Sequence, residues 1–198
     1  MNDPHVVSLR YRLEEGPTVS FNNPPPIEKE TEHFMLRLDN GDVTVEMKSH
    51  FPSVDAARNV VDPYFRAWEI DAVLHSEGQQ LTFAYVEAEV IDRDAPTTQV
   101  ISVNHASLTI TGYPATITIT QPSYPEPPEH FRVNPDVETL WNRFQGYKQG
   151  REPLPGMAYA CLTVLEALAG GGRKNAAAKY QVHIDVLRKL GELTAENR

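Results

Sequence analysis

Cysteine is almost missing from this chain of 198 residues: Cys161 stands alone, which excludes any disulfide within the molecule. It lies in an apolar helical run, where a thiol packs as a small hydrophobe, and a reducing, cytoplasmic setting is the expectation that follows. Long hydrophobic runs are missing too. The longest, "MAYACLTVLEALAG", is too short to cross a bilayer and carries Glu166, so no membrane partner is expected. The first thirty residues hold no basic start followed by an apolar stretch, only a polar segment broken by Pro24, Pro25 and Pro26, and no secretory signal is expected. Motifs of chemistry are equally sparse. There is no G-x-S-x-G elbow, no H-E-x-x-H, no cysteine cluster, no G-x-G-x-x-G after a strand and no Lys closing a phosphate loop. No catalytic residue, metal or cofactor is expected, and the chain leans away from enzymes.

Charge is present but unevenly spread. The net charge is −9. Up to His130 there are 8 Lys+Arg against 20 Asp+Glu, or −12; beyond it there are 10 against 7, or +3. An acidic front half discourages general affinity for nucleic acid, while a mildly basic rear half leaves room for a local anion site.

The front half alternates as strands do. "EHFMLRLDNGDVTVEMK" sets Phe34, Leu36 and Leu38 on one face, turns at Asn40-Gly41 and returns with Val43, Val45 and Met47, the pattern of a hairpin with a type I′ turn. Asp39 and Asp42 beside that turn lack the further ligands a calcium loop requires. From Ser53 the period becomes helical, through Ala57, Val60, Val61, Tyr64, Phe65, Trp68 and Ala72, with Ser53 as N-cap and Pro63 either kinking the helix or starting a second. "HVVSLRYRL", "QLTFAYVEAEVIDRD", "TTQVISVNHASLTI" and "ATITITQ" read as further strands. Strands, helix, strands argue for an α+β fold in which an antiparallel, β-rich N-terminal domain carries one covering helix.

The prolines of "QPSYPEPPEHF" suppress both helix and central strand, and the expected division is a domain over 1–121, a connector over 122–133 and a small helical bundle over 134–198. In the bundle Asn134 caps a helix that starts at Pro135 and buries Val137, Leu140, Trp141, Phe144 and Tyr147. A second helix, 154–169, is apolar nearly all round and belongs at the bundle centre. A third follows Gly170–Gly172, and a fourth carries Val186, Leu187, Leu190 and Leu193.

Candidate sites follow from residue type and place. Arg173 and Lys174 stand beside a helix N-terminus, where the macrodipole disfavours cations unless something negative is close. A bound phosphate would serve, and so would Glu166 reaching across the turn, while Asn175 is placed to cap. The candidate anion-binding set is Arg173, Lys174, Asn175, Lys179, Arg151 and Arg143. Asp71 and His75 lie one helical turn apart and read as a surface pair rather than metal ligands. Glu69, Glu87 and Glu89 supply carboxylates, with Glu87 and Glu89 on one strand face in solvent. Tyr113, Tyr124 and Phe131, near turns and prolines, are expected as exposed contacts or as packing between the halves. A further functional possibility is a small-molecule pocket between the sheet and the Ser53 helix, where elements of different type meet.

At "GYKQGREPLPGMAYACLTVLEALAGGGRKNAAAKYQVHIDVLRKLGEL" the rear half resembles the carboxyl-terminal part of uncharacterised bacterial proteins and, more distantly, HEPN-type helical domains. That resemblance implies a dimeric, RNA-cleaving or defence-associated protein whose active site is an Arg, four to six intervening residues, then a His. No such pair occurs here, since Arg173 to His183 and Arg66 to His75 are both too long, and a scaffold or sensor role gains ground. The final helix looks short beside such domains. The leading expectation is a binding or regulatory module that associates with itself, as a homodimer, or with a protein partner. The alternative is an RNA-binding protein or ribonuclease acting through Arg143, Lys148, Arg151, Arg173, Lys174 and Lys179.

Overall fold

The computed structural model describes residues 3–16, 19–75, 81–94, 101–104 and 119–194. The chain divides into two compact units, Met1–Arg132 and Val133–Arg198. The fold is α+β.

The first unit is built on β1 (Pro4–Glu15) and β6 (Leu81–Asp92), both of 12 residues. Around them the strands β3 (Ile27–Glu30), β4 (Phe34–Asp39), β5 (Asp42–Met47) and β7 (Ile101–Asn104) complete a six-stranded sheet in the order β3-β4-β5-β1-β6-β7. Every neighbouring pair is antiparallel. The expected hairpin is β4–β5, with Asn40 at φ 49° and Gly41 at φ 80°, the left-handed pair a type I′ turn requires. Register brings Leu36 and Leu9 to either side of Val45, and Leu38 and Tyr11 to either side of Val43, so alternation in three strands becomes one continuous apolar face.

That face is covered by α1 (Val54–His75). The Ser53 hydroxyl accepts the Ala56 N–H at 3.2 Å, as an N-cap should. Pro63 neither ends the helix nor starts another. It and Asn59, whose carbonyl loses its helical partner, are both exposed on the outer face of the helix. The inner stripe of Ala57, Val61, Phe65, Trp68 and Ala72 is buried on the sheet. Phe65 stacks on Phe83 at 4.5 Å and meets Tyr11 edge-on at 4.6 Å, while Trp68 lies 4.9 Å from Phe83. Each such ring pair contributes roughly 0.5–1.5 kcal/mol beyond its buried area, and with that burial included the three pairs outweigh one interior proline of about 3 kcal/mol.

Three features depart from the sequence reading. A short strand β2 (Val19–Phe21) pairs in parallel with β8 (Ile119–Gln121), where only antiparallel pairing was expected. Strand β3 forms directly after the three prolines, as a short charged edge. Within the expected connector, Tyr124 is buried in the first unit, at 6% exposure, and the Trp68 indole N–H donates to the Pro125 carbonyl at 2.9 Å. Of the expected strands "TTQVISVNHASLTI" and "ATITITQ", only β7 and β8 fall among the described residues; the remainder, like Tyr113, lies outside them.

The second unit consists of α2 (Pro135–Lys148), α3 (Leu154–Leu168), α4 (Arg173–Tyr180) and α5 (Ile184–Leu193). Asn134 caps α2, its side-chain oxygen accepting the N–H groups of Asp136 at 3.0 Å and Val137 at 2.9 Å. As its composition suggests, α3 touches all three other helices. Its core is small: Leu162, Ala176 and Leu187 are buried together, with Leu165, Ala169, Ala177 and Tyr180 packed partly against them. No single described helix is long and apolar enough to cross a membrane.

One corner of the first unit is sensitive to protons. His5 and His50 stack at 5.3 Å, His5 Nδ1 is buried without a hydrogen-bond partner, and Arg93 Nη1 lies 3.4 Å from His50 Nδ1. Burial, then His50 and Arg93, hold His5 below its ordinary value of 6.5, with Asp3 opposing. The folded state therefore takes up this proton less readily than the unfolded chain. The resulting stability is present above pH 6.5 and is lost as pH falls below it. Urea unfolding between about pH 7.5 and pH 5.5 is expected to show a smaller loss of stability in His5→Gln than in the wild type.

Candidate functional site

The glycine stretch of the helical unit forms a tight joint. Gly170, Gly171 and Gly172 have φ of 79°, 95° and 79°, and the Gly171 N–H returns to the Glu166 carbonyl at 2.8 Å. Asn175 does not cap, contrary to expectation. Helix α4 starts earlier, with Gly172 as N-cap, and Asn175 lies inside the first turn, donating its side-chain amide to the Gly171 carbonyl at 2.8 Å. Arg173 Nε meets Glu166 Oε1 at 3.3 Å, the cross-turn pair foreseen from sequence. Its guanidinium also lies against Gly191 of α5, where any Cβ would collide with it. Lys179 reaches back to the Leu168 carbonyl at 2.5 Å, satisfying an open acceptor at the negative end of α3.

The six candidate anion ligands do not converge. Arg143 pairs with Glu152 at 3.1 Å, and Arg151 donates to the Gln149 side chain at 2.9 Å, both around the start of α3. Arg173, Lys174, Asn175 and Lys179 gather beyond its end, and a helix of this length separates the groups by about 20 Å. Among the described residues of the basic set, only Lys148 and Lys174 make no ion pair or side-chain hydrogen bond. Glu152 itself fills a notch between Gly146 and Gly156, where added Cβ atoms would lie 3.3 and 3.6 Å from its carboxylate. This is joinery between α2 and α3.

Other reactive side chains have structural occupations as well. Burial, then Glu152, pushes the Cys161 thiol above its ordinary value, the reverse of an activated nucleophile. Glu69 accepts the Phe83 N–H at 2.9 Å and pairs with Arg66 at 3.0 Å, so it ties α1 to β6 and takes no part in a carboxylate couple with Glu87 or Glu89. Glu87 pairs with Arg10, and Glu89 accepts from Ser8 at 3.4 Å. His75 and Asp71 form the expected surface pair, 3.1 Å apart. Asp62 accepts from the Tyr11 hydroxyl at 2.6 Å and from Arg58 at 2.8 Å, which lifts the Tyr11 pKa, chiefly through burial and then through that bond.

What sequence reasoning missed is an open cleft of about 390 Å³ at one end of the sheet. Its walls come from β1 (Arg12, Leu13, Glu15), the end of β2 and its following turn (Phe21, Asn23, Pro24), the β4–β5 turn (Asn40, Gly41) and Tyr124. Tyr124, expected as an exposed contact or as packing between the halves, is buried and holds the cleft together: its hydroxyl accepts the Gly41 N–H at 2.9 Å and its ring packs on Phe21 at 4.8 Å. Burial, opposed by that N–H and reinforced by Glu15, Asp39 and Asp42, raises its pKa. Asn23 has φ 48° immediately before Pro24, a conformation that side chains and prolines both disfavour. The signal available in the sequence was the Asn-Gly turn facing a tyrosine among prolines, whose pairing needs the third dimension.

No protein-family model, no curated protein and no solved structure matches this chain. The functional reading therefore rests on these side chains alone.

The joint makes a direct prediction. Gly171→Ala places a Cβ in the left-handed region and is expected to destabilise the protein by about 1 kcal/mol or more. Chemical denaturation against the wild type measures it, with Gly156→Ala, a helical glycine of ordinary φ, as the comparison.

Proposed function

We propose that the chain is a non-enzymatic binding module that acts by self-association through its helical unit. The observation that carries this reading is the state of α3. Only Ala158 and Leu162 of this apolar helix are buried, while Tyr159 is 65% exposed. Among the described residues, the second unit holds five of the eight exposed large hydrophobics (Tyr147, Tyr159, Leu168, Val182 and Val186) but only five of the 28 buried ones. A bundle of fewer than about 70–80 residues rarely supplies more than about 3–5 kcal/mol from its own core, and further apolar cover is a common remedy. A second copy brings such a surface by itself, with two-fold symmetry the commonest arrangement.

RNA recognition through the same unit has less support. Arg143, Arg151, Arg173 and Lys179 already serve local acceptors, and a phosphate backbone would have to displace them.

Light scattering coupled to size exclusion, run over a range of concentrations, is expected to give a dimer mass. Tyr159→Lys, at a position open enough to tolerate the change in a monomer, is expected to weaken association by at least about tenfold while leaving the helical circular dichroism intact. A monomer at every concentration overturns the reading.

A further inference from the structure

We propose that the cleft between the β4–β5 turn and Tyr124 is a binding site for an organic cation, an ammonium or guanidinium group. This goes beyond self-association and uses a different unit of the chain.

The geometry comes first. The cleft, at about 390 Å³, falls within the range of small-ligand sites, roughly 300–1,000 Å³, and combines a ring surface with a few polar groups. Phe21, half-buried, and Tyr124, buried beside it, provide the rings. Cations are attracted to such faces, by roughly 0.5–1 kcal/mol when exposed and about 2 kcal/mol or more when shielded from water.

Charge then selects the ligand. Of the two charged side chains in the walls, Arg12 is matched by Asp42 at 3.0 Å. Glu15 has no cationic partner among the described residues; its Oε1 accepts the Phe21 N–H at 3.3 Å, which holds the carboxylate beside Phe21 in the cleft wall. Elsewhere on the same sheet Glu28, Glu30, Asp39 and Glu87 are each paired with an arginine or lysine. Asp39 and Asp42 beside the turn are matched by Arg37 and Arg12, so Glu15 is the carboxylate that the walls leave without a cationic partner among the described residues. An anion entering here meets Glu15, and a neutral polyol gains nothing from its charge. A cation gains from Glu15 and from the rings at once.

The walls are also built to keep their shape. The Gly41 N–H is held by Tyr124, and the Leu13 N–H is held by the Gly41 carbonyl at 2.8 Å. Asn23 and Asn40, both in the left-handed region, line the cleft as well, Asn40 as part of the type I′ turn.

The test is a titration of the full chain, isotopically labelled, with choline and with arginine amide, glucose and acetate serving as neutral and anionic controls. The two cations are expected to shift the Gly41 and Phe21 amide resonances in a saturable way that weakens with added salt. Glu15→Gln, which keeps an acceptor for the Phe21 N–H, is expected to lower cation affinity by at least about tenfold with unchanged thermal unfolding. A capped Gly-Arg-Gly peptide separates the two sources of such a group: tighter binding than arginine amide assigns the site to a protein side chain, and weaker binding assigns it to a free small molecule. Absence of cation-dependent shifts, equal responses to glucose or acetate, or choline affinity untouched in Glu15→Gln overturns the proposal.

Discussion

Trp68 is the residue on which the first unit is organised. Its side chain is fully buried among rings from both the sheet and α1, and a buried indole N–H without an acceptor would cost about 1–3 kcal/mol. The acceptor is the carbonyl of Pro125, in a segment whose prolines exclude both helix and central strand. Satisfying one donor therefore pins the chain between β8 and α2 across the sheet end. Tyr124 follows from that placement, since its neighbour is held. The tyrosine then meets the β4–β5 turn and Phe21, and the cleft exists because these three pieces are brought together.

Legibility of the fold tracked the range of the interaction that makes each element. The β4–β5 hairpin and the α1 stripe are written in short periods and in caps a few residues away, and both stand where the pattern puts them. The spans of α2 and the apolar α3 also stand where the pattern puts them, but of the stripe expected on α2 only Trp141 is buried; Val137, Leu140 and Phe144 are half-buried and Tyr147 is exposed, because this small unit has too little apolar cover to close over the whole stripe. Strand β2, by contrast, is three residues long and pairs with β8 about a hundred residues later, so no period announces it. Strand β3 sits behind three prolines, a local signal against strand that an edge position overrides. Tyr124 looked exposed for the same reason: proline-rich surroundings argue for surface, and only the indole of Trp68, far away in sequence, reverses the argument.

The candidate anion site was legible as a puzzle and misjudged in one part of its solution. Cations beside a helix N-terminus need negative charge, and Glu166 supplies it for Arg173. The capping residue was misplaced because Asn is the better N-cap by composition, yet three consecutive glycines in the left-handed region let α4 begin at Gly172. The same turn brings the negative end of α3 close to the start of α4, and Lys179 completes the compensation at Leu168. Dipoles and side chains are balanced locally, which leaves little of that basic charge for a ligand.

The two units consequently reserve different chemistry for recognition. In the helical unit the arginines are consumed at joints, Arg143 by Glu152 and Arg173 by Glu166, and what remains outward is the apolar flank of α3 with Tyr159. In the sheet unit the apolar face is consumed by α1, and Glu28, Glu30, Asp39, Asp42 and Glu87 are matched by arginine or lysine. Glu15, at the end of β1 past Asp42 and its bond to Arg12, has no cationic partner among the described residues and lines the cleft. Function is thus read from leftovers of folding: a hydrophobic surface where packing runs out in one unit, and an unpaired carboxylate beside a ring where pairing runs out in the other.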